Sequence, residues 1–137
     1  MVGCLYLKDP VPVRVEFAEE AGVMQTIEGR VAYARGDALV TGTAGERWPI
    51  PRHRFERTYR PATEGDAIGR NGDFIKQPIA VRAVRTRTAG RVPLSDGRGV
   101  LVAKPGDWIL TDPDGETWVV EDTIFRETYH PFVPEPS

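Results

Sequence analysis

The chain has 137 residues, of which 40% are apolar and 28% charged, with a formal net charge of −2. That length suits one ordinary domain or two very small ones. The near-balanced charge argues against a general pull toward nucleic acid or an anionic membrane, and no run of about 18 apolar residues is present to form a spanning helix.

The opening MVGCLYLKDP carries neither a basic n-region nor a long apolar h-region, which argues against a secretory leader, and Val2 rules out myristoylation. Its Cys4 is the single cysteine, so no intrachain disulfide is expected and a reducing cytoplasm fits. In that apolar segment Cys4 reads as packed rather than reactive. Next, in PVPVRVEF, Val11, Val13, Val15 and Phe17 alternate with Pro12, Arg14 and Glu16, the pattern of a half-buried strand. Pro12 has no N–H to give, which predicts a sheet edge or a strand start. GVMQTIEGRVAYA predicts two strands around a turn near Glu28-Gly29, and RGDALVTG a strand entered through a tight Gly36-Asp37 turn. Ala44-Gly45 then predicts a hairpin into ERWPI.

Here the period changes. Phe55 and Tyr59 stand four apart in PRHRFERTYRP, which places both rings on one face of a short helix. Pro51 suits its first turn and Pro61 its end. The Gly-rich, acidic stretch 62–73 reads as a linker. A second series follows: the alternation of PIAVRAVRTRT, a turn at Asp96-Gly97, the Gly106-Asp107 turn, a hairpin at Asp114-Gly115, and a helix with Phe125 and Tyr129. Asp122 is its expected N-cap and Pro131 its end. The tail 133–137 reads as loose.

The two series are nearly the same text. An offset of 70 pairs Gly36-Asp37 with Gly106-Asp107, Gly45-Glu46 with Gly115-Glu116, Trp48 with Trp118, Phe55 with Phe125, and Thr58-Tyr59 with Thr128-Tyr129. An offset of 68 pairs YLKDPVPVR, from Tyr6, with FIKQPIAVR, from Phe74. The changed offset means two additional residues in the second copy, within RTRTAGRVPLSDGR. The expectation is therefore a mainly β, β-rich α+β chain duplicated in tandem: a first repeat at 5–61, a linker at 62–73 and a second repeat at 74–132. Each repeat would be a small SH3-like barrel or bent sheet closed by a short C-terminal helix, the pair related by a pseudo-twofold axis. Trp48, Phe55, Tyr59, Trp118, Phe125 and Tyr129 are the expected structural aromatics.

At these residues the chain resembles a family of small bacterial and phage proteins with a PGDYG-type motif. The resemblance is carried by Lys76, Pro78, Pro105-Gly106-Asp107-Trp108, Gly115-Glu116 with Trp118, and Phe125 with Thr128-Tyr129. In the first copy it is carried by Lys8, Pro10, Gly36-Asp37, Gly45-Glu46 with Trp48-Pro49, and Phe55 with Thr58-Tyr59. Trp108 stands where the motif has Tyr and Ile109 where it has its last Gly. The first copy has Arg35 for the Pro and Ala38 at the aromatic position. The resemblance implies a bacterial, often phage-linked context and no particular mechanism.

For chemistry the inventory is thin: two serines, two unmatched histidines (His53 and His130) and one cysteine leave little for a nucleophilic site. No His or Cys pair has ligand spacing, so no metal and no cofactor is expected. Asp37, Glu46, Asp107 and Glu116 read as turn or structural acids rather than acid–base pairs. The candidates for contacting a partner or ligand are Arg52, Arg54 and Arg57 on the basic helix, Arg85 and Arg87 on a following strand, and Trp108. Function is expected to be that of a non-catalytic binding or accessory protein for a protein or peptide. A small-molecule binder, with nucleotides among its ligands and its pocket between the repeats, is the alternative. A carboxylate-based enzyme ranks last.

Overall fold

Segments of three to five residues, most of them alternating in burial, form fourteen β-strands among the described residues, with two helices of seven residues each. The computed structural model describes residues 4–63 and 67–132, with only the backbone at Asp96. Of the predicted linker, 64–66 lie outside these, as does the tail 133–137.

The strands fall into two compact units, and one of these is discontinuous in sequence. The continuous unit, Pro10–Gln77, contains β2 (Val13–Phe17), β3 (Gly22–Thr26), β4 (Gly29–Tyr33), β5 (Ala38–Thr41) and β6 (Arg47–Ile50). Helix α1 (Arg52–Thr58), β7 (Tyr59–Pro61) and β8 (Gly72–Lys76) complete it. The split unit joins residues 4–9, which hold β1 (Cys4–Lys8), to 78–132. There follow β9 (Val81–Arg85), β10 (Gly90–Pro93), a 3-10 turn (Ser95–Gly97), β11 (Val100–Ala103), β12 (Trp108–Thr111), β13 (Thr117–Val120), α2 (Asp122–Thr128) and β14 (Tyr129–Pro131).

Each unit has one five-stranded antiparallel sheet and one two-stranded hairpin. The sheet orders are β6-β5-β2-β8-β7 and β13-β12-β9-β1-β14, and the hairpins are β3–β4 and β10–β11. The chain is thus mainly β, as the alternation predicts. None of the sheets closes on itself, so the barrel alternative gives way to open sheets. The strand that opens the chain lies in the sheet of the split unit, where Tyr6 pairs with Val81 and Pro131. The corresponding strand β8 lies in the continuous unit, where Phe74 pairs with Val13 and Pro61.

Several local expectations shift. The strand after Pro12 is the central one of its sheet; it begins at Val13, so the missing N–H falls just outside the ladder. Both helices stop before Tyr59 and Tyr129, not at Pro61 and Pro131. The two tyrosines are extended, because β7 and β14 leave the helices to pair with β8 and β1. The N-cap of α2 is Glu121, whose carboxylate accepts the Thr123 N–H, and Asp122 stands in the first turn. Cys4 is exposed at the start of its strand. Within the linker segment Ile68 packs on the core, and Asn71 Oδ1 accepts the Phe17 N–H at 2.8 Å.

The core of the continuous unit consists of Val13, Val15, Ala38, Val40, Ile50, Phe55, Tyr59 and Phe74, with Phe17, Trp48 and Ile68 at its margin. That of the split unit consists of Val81, Ala83, Leu110, Phe125 and Tyr129, with Tyr6, Trp108, Trp118 and Val120 at its margin. Four-residue spacing stacks Phe55 on Tyr59 at 4.8 Å and Phe125 on Tyr129 at 5.1 Å. Burial of such a ring stabilises by roughly 1.5–3 kcal/mol.

Candidate functional site

The Gly-Asp segments build the same turn twice. Gly36 and Gly106 have φ of +88° and +95°, a region that favours glycine. The Asp37 N–H donates to the Ala34 carbonyl at 3.1 Å and the Asp107 N–H to that of Lys104 at 2.9 Å. With the positive φ at the third position this is a type II turn, for which Pro105 is the favoured second residue. Each carboxylate then ties its own turn: Asp37 Oδ2 accepts the Ala34 N–H at 2.8 Å, and Asp107 Oδ2 the Lys104 N–H at 2.9 Å. Asp37 Oδ1 also accepts the Arg52 N–H at 3.0 Å, one of the orphan donors at the start of α1. Both acids are buried. No group of three or more His, Cys, Asp or Glu able to hold a metal occurs among the described residues.

Trp108 is held by its neighbours. Its ring stacks on Phe125 at 4.0 Å, Tyr6 meets both rings edge-on, and its indole N–H donates to Asp122 Oδ1 at 2.9 Å. Arg85 Nε donates to the Gly106 carbonyl, and its guanidinium lies 3.6 Å from Asp122 Oδ2. Arg126 Nε donates to Asp122 at 3.1 Å. The Trp108 hydrogen bond, then those donors and charges, hold the Asp122 carboxyl below the ordinary aspartate value. Arg87 is exposed on the same unit. Helix α1 carries Arg52, Arg54 and Arg57 in the other unit, with Arg54 and Arg57 one turn apart and Arg52 away from Arg54, paired with Glu56 at 2.8 Å and over the Phe17 ring. His130 Nδ1 meets Asp9 Oδ1, and His53 is exposed.

The two glutamates have different surroundings. Glu116 is mostly buried, accepting from Ser95 Oγ at 2.8 and 3.0 Å and from the Arg98 guanidinium at 3.1 Å. Both donors come from the connection of hairpin β10–β11. The connection of β3–β4 is only Ile27-Glu28, and no hydrogen bond or ion pair from it reaches Glu46 among the described residues. Glu46 instead accepts the Ala44 N–H of its own turn at 3.1 Å. A cleft of about 530 Å³ lies there, lined by Val23, Met24, Gln25, Ile27, Tyr33, Leu39, Gly45, Glu46 and Arg47. Val23 and Ile27 are 55% and 51% exposed.

A family model described as PGDYG protein matches residues 17–130. The chain belongs to the PGDYG family. No curated protein and no solved structure matches the chain. In this PGDYG chain the name falls on the type II turn at Pro105-Gly106-Asp107, and the turn geometry supplies the physical reason for all three residue types. The cleft was missed from sequence. Its faint signal is that Val23 on β3 and Ile27 just past its end are apolar yet exposed, on either side of the exposed polar Gln25. Ser95 and Arg98 were missed as well, because their partner Glu116 is distant in sequence.

Proposed function

We propose that this PGDYG chain is a non-catalytic binding protein, built by tandem duplication of one small β module, and that it engages a peptide segment of a protein partner. The cleft of the continuous unit carries the reading. It combines two half-exposed apolar side chains, Val23 and Ile27, with Tyr33, Leu39, one acid, Glu46, and one base, Arg47. Apolar concavities with a few polar groups are the usual form of binding sites. An extended segment suits the place, since β3 and β6 stand at the ends of their sheets and flank the cleft.

The duplication is supported by the sheet orders. Under the offsets of 68 and 70 they correspond strand for strand once β1 and β8 are taken as exchanged between units. Duplication also explains why one copy can bind while the other is closed, since both must fold and only one needs a partner.

The test is selection of peptides from a random display library against the full chain. Selected peptides should shift the amide resonances of Val23, Ile27 and Glu46 and should lose binding when Val23→Ser and Ile27→Ser are combined. Peptides that bind this double variant equally well, or a library with no enrichment, would overturn the reading.

A further inference from the structure

We infer that the cleft of the continuous unit selects an arginine side chain, carried on an apolar peptide segment, through the carboxylate of Glu46. This deepens the binding-module reading and rests on it. In the other unit the chain supplies such an arginine to itself, Arg98 donating to Glu116.

Glu46 and Glu116 end turns of the same construction. Gly45 N–H donates to the Gly42 carbonyl and Gly42 N–H to that of Glu46, at 3.0 and 2.8 Å. Gly115 N–H donates to the Asp112 carbonyl and Asp112 N–H to that of Glu116, at 2.9 and 3.0 Å. Beside the second turn, the longer β10–β11 connection folds over the glutamate. Arg98 and Ser95 satisfy it, and the side chains of Arg98 and Glu116 are only 14% and 18% exposed. Beside the first turn the connection is two residues long, against six at 94–99, and has neither serine nor arginine. The cleft occupies the corresponding place, between the hairpin and the turn that carries Glu46.

A second difference favours an exchangeable carboxylate. Gly42 has no side chain, and Glu46 lies over it; a Cβ there would collide with the Glu46 carboxylate. In the other turn this position is Asp112, whose Oδ1 accepts the Asp114 and Glu116 N–H groups. Glu46 therefore rests on its own turn through one bond from Ala44 and can rotate outward to a ligand without leaving a buried donor orphaned. A guanidinium is the group of choice because its planar fork can match a carboxylate, and in the other unit one arm of Arg98 already donates to Glu116 at 3.1 Å. Arg47 in the cleft lining repels a bare cation, so the apolar wall must supply affinity and Glu46 the selection. The occupant is accordingly an arginine with apolar neighbours in a peptide, not a small guanidine.

The probe is a synthetic peptide with the sequence VPLSDGRGV, copying residues 92–100, titrated into the full chain and followed by amide chemical shifts. A version with citrulline for arginine removes the charge and keeps the shape. The expected result is saturable shifts at Val23, Ile27 and Glu46. Affinity should fall about tenfold for the citrulline peptide and for Glu46→Gln, whose melting temperature should match the parent. Equal affinity of the two peptides, or shifts confined to the Glu116 turn, or no saturable shifts at the cleft, would overturn the inference. So would acetyl-arginine methylamide binding as tightly as the peptide, which would assign the site to small guanidines. If library peptides bind the cleft but ignore citrulline replacement and Glu46→Gln, the binding-module reading stands and the arginine preference fails.

Discussion

Asp37, Asp107 and Asp122 are three aspartates next to turns or helix starts, and their surroundings set three different tasks. The first two close type II turns with their own carboxylates, and Asp37 in addition receives the first N–H of α1. These roles are readable locally, because the turn needs only a glycine at positive φ and an acid one residue later. Asp122 is different. Its partners Trp108, Arg126 and Arg85 come from three elements, and together they hold its carboxyl below the ordinary value. A lowered folded value means that the charged form stabilises the fold at every pH above the unfolded aspartate pKa, about 4. The contribution is lost as pH falls through the lower folded value. The melting temperatures of the parent and Asp122→Asn should therefore differ by a constant amount from neutral pH down to about 5 and converge below about 4. A gap that widens on acidification would refute this account.

At the scale of elements, neither seven-residue helix is long enough to persist alone; isolated helices need about 12–15 residues. Packing of aromatic rings holds them. On α1, Phe55 stacks on Tyr59 and is met edge-on by Phe74 of β8 at 5.0 Å. The pair Phe55/Tyr59 was legible from its spacing, although Tyr59 turns out to be extended. Phe74 was not legible as their partner, because nothing near it in sequence says which sheet it joins. Trp48 and Trp118, natural plugs by size, are only half-buried at the core margins. Phe74→Ala should consequently cost about 3–5 kcal/mol in denaturant unfolding, and Trp48→Ala only about 1–2 kcal/mol. The reverse ranking would contradict this packing.

Across the whole molecule, the compact units and the two similar stretches of sequence are cut at different points. Strands β1 and β8 each complete the sheet of the unit that does not contain the strand following them. The connections suggest why. Asp9 and Val11 each precede a proline, and Gln77 precedes Pro78, which disfavours the αR conformation that a tight reversal would use. The chain runs on instead of folding back beside its own next strand. It follows that a fragment spanning 10–77, which contains every strand of the continuous unit, should melt cooperatively. A fragment spanning 10–71, which lacks β8 and the fully buried Phe74, should give no cooperative transition by circular dichroism. Equal melting of both would mean that β8 is dispensable.

Strand alternation, turn chemistry, the aromatic pairs and membership in the PGDYG family were all contained in the sequence, because each depends on residues within a few positions or on direct likeness of text. The pairing of β1 and β8, the partners of Asp122, the Arg98–Glu116 contact and the cleft beside Glu46 came only with the tertiary structure. These depend on which of several similar strands meets which. Two similar series of strands offer each strand two acceptable neighbours, so local pattern leaves the choice open and the connections and the core decide it.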